Sequence, residues 1–118
     1  MIDDLRIVHA LLRKYGPKKD AAWFGRLITV AQSDPEQFWA RFNCDEIWGG
    51  SGSIADQFLV PNEEEPAGTK EDRRQYYLAM ARLAHAMADA GIVNRRAKFI
   101  ARAFTEWAAD ATDTGARP

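Results

Sequence analysis

A turn with three glycines in four positions carries the clearest chemical pattern in this sequence. The turn consists of Gly49, Gly50 and Gly52, followed by Ser53. A chain uses glycine where the backbone needs a positive φ or a close approach to a neighbouring group. Because three glycines are costly to order, we expect this turn to keep a specific shape, which is either structural or functional.

A nucleotide site is one function that glycines at this spacing can serve. The run Gly50-x-Gly52-x-x-Ala55 matches a permissive form of the dinucleotide fingerprint, in which a strand leads into the turn and a helix dipole receives the pyrophosphate. Here the preceding segment, residues 38–48, has a helical pattern, and no Lys-Ser or Lys-Thr pair follows the glycines as in a phosphate-binding loop. The pattern therefore disfavours both nucleotide interpretations.

Cys44, Ser51 and Ser53 are the side chains near the turn that could act as nucleophiles. The two histidines, His9 and His85, lie on separate predicted helices, and nothing in the spacing brings either one to Cys44. A lone cysteine beside aromatic residues is more often a small buried hydrophobe. Neither serine has a visible base or oxyanion hole. We therefore predict that the protein is not an enzyme and has no cofactor.

Acidic residues are concentrated in the middle of the chain. Residues 34–72 include ten acidic and two basic side chains, whereas residues 73–102 include seven basic and one acidic. Such asymmetry is typical of two segments that attract each other within a fold, and also of an acidic face that attracts a basic partner. Asp45, Glu46 and Asp56 match no known cation-binding loop. We therefore predict solvated acids and no metal site.

The basic residues of the last predicted helix do not indicate nucleic-acid binding. Arg95, Lys98 and Arg102 share one polar face at helical spacing, and no exposed aromatic residue is expected between them. With an acidic counterweight in the same domain, this pattern predicts a solvated helix face.

Length and composition predict a single domain. The chain has 118 residues, of which 47% are hydrophobic, with four tryptophans and a single cysteine, so it can form one core without a disulfide. Its net charge of −1 provides no overall attraction to nucleic acid or to a membrane. The first residues lack the pattern of a signal peptide, and no apolar stretch approaches the ~20 residues that span a bilayer. We expect a cytoplasmic protein.

Helical periodicity predicts an all-α domain of about five helices in a small irregular bundle with a glycine-rich central turn. The domain covers residues 1–111, and residues 112–118 form a frayed tail. The predicted N-caps are Asp20, Asp34 and Asn94, and Gly91 ends the fourth helix. A further short helix leaves the glycine turn at Ser53 and carries Phe58 and Leu59.

The four tryptophans divide into two groups. Three of them fall on helical stripes and are predicted to lie in the core: Trp23, Trp39 and Trp107. Trp48 adjoins the glycine turn and the acidic pair before it. It is either a core plug that fixes the turn, which we favour, or an anchor for a partner, because aromatic residues dominate binding hot spots.

A family resemblance rests on three features of the sequence. These are Tyr15-Gly16 at the end of the first helix, Trp23 soon after it, and the turn Gly-Gly-x-Gly-Ser-x-x-Asp at residues 49–56. Together they resemble a group of small, uncharacterised bacterial helical proteins, over about residues 5–108. That group usually has methionine and asparagine where this chain has Ser51 and Ala55. The difference keeps the backbone requirement but weakens any inference about side-chain function.

Proteins of this group resemble the immunity proteins of bacterial toxin systems in size, helicity and acidic surface. The resemblance implies a non-enzymatic binding protein whose partner is a cognate toxin with a basic site. The expected binding surface consists of Asp45, Glu46, Trp48, Asp56, Glu63, Glu64 and Glu65. Two alternatives stay open: a small ligand- or anion-binding domain or enzyme that uses the glycine turn, and a homodimer that hides apolar surface.

Overall fold

The computed structural model of this chain describes residues 1–49, 53–55 and 70–116. These residues form α-helices without any strand, which confirms the all-α prediction. The helices are α1 (Ile2–Tyr15), α2 (Lys18–Ser33), α3 (Pro35–Phe42), α4 (Asp45–Trp48), α5 (Lys70–Asp89) and α6 (Arg95–Ala116). The additional helix relative to the predicted five is α4, whose single turn is too short to show periodicity.

Two antiparallel pairs of helices build the fold. α1 pairs with α2, α5 pairs with α6, and α1 packs against α5 to join the two pairs. The α1–α5 contact is fixed at both ends, because the Tyr15 hydroxyl donates to Asp72 at 2.5 Å and Arg82 Nε donates to Asp4 at 2.7 Å. Between the pairs lies a core of large buried side chains, among them Phe24, Phe42, Trp48, Tyr76 and Phe104.

Local signals set the ends of several helices. Asp34 accepts a hydrogen bond from the backbone N–H of Gln37 at 3.1 Å and so caps α3, as predicted. Asn94 caps α6 in the same way, through the N–H of Ala97 at 3.0 Å. Gly91 follows α5 with a φ of +89°, the left-handed conformation that lets glycine end a helix.

The prediction that Asp20 caps α2 is wrong. α2 begins at Lys18, because the carbonyl of Pro17 already accepts the N–H groups of Asp20 and Ala21, both at 3.1 Å. The proline holds an extended backbone just before the helix, and its carbonyl provides the first acceptor. Asp20 lies instead in the first turn, where its negative charge interacts favourably with the positive end of the helix dipole.

The tryptophans on helical stripes are less buried than predicted. Trp23 and Trp39 are half-buried, and Trp107 is 38% exposed, although it packs edge-on against Tyr77. These residues lie at the flanks of their helices, where a wide ring covers the core and also meets solvent. α6 is described to Ala116, beyond the predicted domain end at residue 111. No helix in the described ranges combines the length and apolar character needed to cross a bilayer.

Candidate functional site

α4 is a one-turn amphipathic helix that displays two acids. Asp45 and Glu46 are exposed in its first turn, whereas Ile47 and Trp48 are almost completely buried. The two acids also suit the positive N-terminal end of the helix. We call α4, Gly49 and residues 53–55 together the α4 corner.

Trp48 is a core plug. Its side chain is 1% exposed, its ring stands perpendicular to Phe42 at 5.5 Å between centroids, and its Nε1 donates to the carbonyl of Phe42 at 3.1 Å. Burial with a satisfied N–H is the usual state of a structural tryptophan. The prediction that Trp48 contacts a partner is therefore corrected, because the side chain presents no surface on which a partner could pack.

Gly49 is required for a close approach and not for a positive φ. Its backbone is at φ −76° and ψ 8°, which other residues adopt readily. A Cβ on Gly49, however, would overlap the carbonyl oxygen of Asp45. The N–H of Gly49 donates to that same oxygen at 2.7 Å, which closes the turn of α4.

Two distant residues hold the α4 corner in place. Arg96 of α6 donates from Nη1 to the carbonyl of Gly49 at 2.6 Å, which satisfies an acceptor just beyond the C-terminus of α4. The hydroxyl of Tyr76 on α5 donates to the carbonyl of Ile54. The N–H of Ile54 in turn donates to the carbonyl of Glu46 at 2.8 Å. The backbone on both sides of the turn is thus bonded to the helices beneath it.

Ser53 is buried after the turn, with Ile54 and Ala55 next to it. The other predicted turn residues, Gly50 and Gly52, lie outside the described residues. So do several predicted members of the binding surface, namely Asp56, Glu63, Glu64 and Glu65, and the short helix predicted to carry Phe58 and Leu59. Of the predicted surface, the structure brings together Asp45 and Glu46.

A hollow of about 280 Å³ lies beside Glu46. Lys19, Asp20 and Arg26 of α2 line it, and the half-buried ring of Trp23 forms part of its wall. The acidic edge of α4 therefore has basic neighbours from another helix. Sequence reasoning missed these residues because no local pattern links α2 to α4.

Cys44 is half-buried, and its surroundings disfavour the thiolate. Burial is the main influence on this group and raises its pKa, whereas a backbone hydrogen bond with Ile47 acts in the opposite direction. The side chain of Glu46 also raises the pKa. A nucleophilic cysteine needs a lowered pKa, as beside a cation or at the N-terminus of a long helix. His9 packs against Gly25 between α1 and α2, and His85 is exposed on α5.

The described ranges contain no group of three or more His, Cys, Asp or Glu side chains placed to hold a metal ion. The basic face of α6 differs from the prediction, because Phe99 is 73% exposed among its charged residues.

No protein-family model, curated protein or solved structure matches this chain. The resemblance to small bacterial helical proteins, and through them to immunity proteins, therefore stays a prediction.

Proposed function

We propose that this protein is a non-enzymatic binding protein that presents the acidic edge of α4 to a basic site on a partner protein. The partner class that the sequence favours is a toxin, which the protein would neutralise as a bacterial immunity protein. Inhibition of this kind needs shape and charge but no catalytic group.

The observation that carries this proposal is that Asp45 and Glu46 are exposed on a turn whose other residues are fixed in the core. Both side chains are exposed, while Ile47 and Trp48 of the same turn are buried. The backbone carbonyls of the two acids accept the N–H groups of Gly49 and Ile54. Charges held in one orientation bind a partner at a lower entropic cost than charges on a loop that must become ordered.

The basic neighbours of Glu46 add selectivity to this surface. Lys19 and Arg26 line the adjoining hollow, so a partner must match a mixed pattern of charges and not a uniform negative field. Mispaired charges at an interface cost free energy, which excludes unsuitable partners. The half-buried ring of Trp23 offers apolar contact area in the same place.

The first experiment tests whether a partner exists. The tagged protein is used to capture partners from the native host, and the gene next to its own is expressed with and without it. We expect one specific partner, and we expect the neighbouring gene product to be toxic unless this protein is present. If no partner is retained and the neighbouring product is harmless, the proposal fails.

The second experiment tests which surface binds. The double variant Asp45→Lys, Glu46→Lys should weaken the captured complex by about tenfold or more, because it places positive charge against a basic site. The matched control is Asp3→Lys, Glu36→Lys, which reverses two exposed acids in the first turns of α1 and α3. Titration calorimetry should show the control within about twofold of the unmodified protein. Equal weakening by both double variants would mean that net charge, and not the α4 edge, is recognised.

The alternative of an anion site at the glycine turn depends on Gly50 and Gly52. A thermal-shift screen with nucleotides and phosphates separates it from the first proposal, because a ligand at a hundred times its Kd stabilises a protein by ~2.7 kcal/mol.

A further inference from the structure

A second surface lies later in the chain than the α4 acids, where α5 is followed by α6. A groove of about 430 Å³ runs between the end of α5, the loop that follows it and the start of α6. We call it the α5–α6 groove. Its apolar lining includes Met87, Ala88, Ile92, Val93, Ala97 and Ala101.

The end of this groove is built by the turn at Gly91. The N–H of Ile92 donates to the carbonyl of Met87 at 3.2 Å, and the N–H of Gly91 donates to that of Ala88 at 2.9 Å. This is the Schellman arrangement, in which the residue after the glycine folds back onto the last turn of the helix. The turn therefore places Ile92 against Met87 as an apolar end wall.

Small side chains keep the groove open. Ala88 on α5 faces it together with Ala97 and Ala101 on α6. The position of α6 beside it is fixed, because Asn94 caps the helix and also donates from Nδ2 to Asn43 Oδ1 at 2.7 Å. The groove thus has a defined shape, and the described residues that line it leave its volume open.

The rim of the groove is basic. His85, Arg95 and Lys98 are exposed and line it, and none of its lining residues is acidic. Within the described ranges, neither Arg95 nor Lys98 is part of a salt bridge. The charges on this rim are therefore not explained by an ion pair within the described fold.

The charges also break a local rule. The first turn of α6 has no acidic residue, although acids are favoured at the N-terminus of a helix and cations are not. Arg96 has a structural reason to be there, because it holds the carbonyl of Gly49. Among the described residues, Arg95 and Lys98 make no such contact. A residue that opposes local preference without a structural reason is expected at a functional site.

The volume of the groove points to a small molecule. Ligand pockets in proteins occupy about 300–1,000 Å³ and combine a largely apolar lining with a few polar groups. This groove has both properties, because its lining is mostly apolar and includes Arg95 and Lys98.

We propose that the α5–α6 groove binds a small amphipathic organic anion, with an aliphatic chain against Met87 and Ile92 and a carboxylate at Lys98 and Arg95. The proposed site uses none of the α4 acids, so its test does not depend on the proposed protein partner.

Decanoate below its micellar concentration is the probe, with decanol and acetate as comparison compounds. In ¹H–¹⁵N spectra of the full chain, decanoate should shift amides within residues 84–101, and decanol and acetate should each bind about tenfold or more weakly. Equal binding of decanol would overturn the proposal, because the cationic rim would then play no part. So would an absence of shifts in this segment.

Three variants sharpen the test. Ala88→Trp fills the groove from an exposed position and should abolish the shifts, while Lys98→Glu should weaken decanoate binding by about tenfold. Arg102→Glu changes an exposed cation of α6 that does not line the groove, so it should bind decanoate within about twofold of the unmodified protein. Circular dichroism verifies that each variant is folded. Equal weakening by Lys98→Glu and Arg102→Glu would contradict a specific site.

Light scattering distinguishes a second copy of the chain from a small ligand. We expect that decanoate binding does not dissociate a dimer of this chain. A dimer that Ala88→Trp abolishes would show that the groove is an interface between copies, and the small-anion proposal would be wrong.

Discussion

The α4 corner and the α5–α6 groove present opposite charges, and they differ in packing. The acids of the α4 corner lie above a packed core, whereas the cations of the groove surround an open volume. At the α4 corner, Trp48 is buried below the helix, and the backbones of Gly49 and Ile54 are hydrogen-bonded to α4 and to side chains of α5 and α6. At the groove, alanines leave the space empty and the charges line an open rim. The first arrangement displays acids on a filled surface, as protein recognition needs, and the second surrounds a volume, as small-molecule binding needs.

The comparison also shows that the charge of a side chain does not by itself indicate its role in the structure. Arg95 and Arg96 are adjacent and both exposed. Arg96 bonds to the carbonyl of Gly49 and belongs to the α4 corner, whereas Arg95 lines the groove. Two identical residues next to each other therefore serve the two regions separately.

The largest expected effect separates a filled aromatic position from an exposed one. Trp48→Ala should lower the free energy of unfolding by about 3–5 kcal/mol, because it leaves a cavity below α4. Phe99→Ala, at the exposed position on α6, should change it by no more than about 0.5 kcal/mol. Urea denaturation measures both. A similar loss for the two variants would contradict the role of Trp48 as the buried support of α4.

Substitution of the glycine at the α4 corner should also cost more stability than substitution of the glycine at the groove. Gly49→Ala should cost about 2–3 kcal/mol, because its Cβ meets backbone atoms that cannot move aside. Gly91→Ala should cost about 1 kcal/mol, because the only penalty is the left-handed conformation and no atom lies within 4 Å of the new Cβ. If Gly91→Ala proves the more damaging in thermal melts, the close approach at Gly49 is wrong.

The adjacent arginines give a smaller contrast. Arg96→Ala should lower the free energy of unfolding by about 1 kcal/mol, since the lost donor leaves the carbonyl of Gly49 to solvent. Arg95→Ala should leave stability unchanged within about 0.5 kcal/mol but weaken decanoate binding. If Arg95→Ala and Arg96→Ala lower the free energy of unfolding equally, both arginines stabilise the α4 corner and the contrast is wrong.

The smallest effect concerns the reactivity of Cys44. Because burial raises its pKa above the ordinary 9.0, its thiolate should form only at higher pH than that of a free thiol. The rate of iodoacetamide alkylation, followed by mass spectrometry across pH, should therefore rise with a midpoint above that of N-acetylcysteine. A lower midpoint would instead indicate an activated thiol and reopen the enzyme alternative.

Short-range signals explain what the sequence could predict. The caps at Asp34 and Asn94 and the stop at Gly91 depend on residues within a few positions, and each prediction is confirmed. The all-α class follows from the periodicity of the long helices. α4 was missed because four residues cannot show a period.

Long-range contacts explain what the sequence could not predict. Arg96 reaches Gly49 across 47 positions, and Tyr76 reaches Ile54 across 22. No pattern within a window shows such pairs, so the frame of the α4 corner was not foreseeable. The α5–α6 groove was missed for a related reason. Alanines in a helical pattern predict close packing in the core, and nothing in the sequence indicates that a groove lies beside them.

The most direct test of the account is native-state hydrogen exchange at the amides of Gly49 and Ile54. Both donate to the carbonyls of the acidic pair, at 2.7 and 2.8 Å. If the α4 corner is a fixed frame for Asp45 and Glu46, both amides should exchange with an opening free energy within about 1 kcal/mol of global unfolding. Exchange close to the rate of an unstructured peptide would show that the acids stand on a loosely held turn, and would contradict the account.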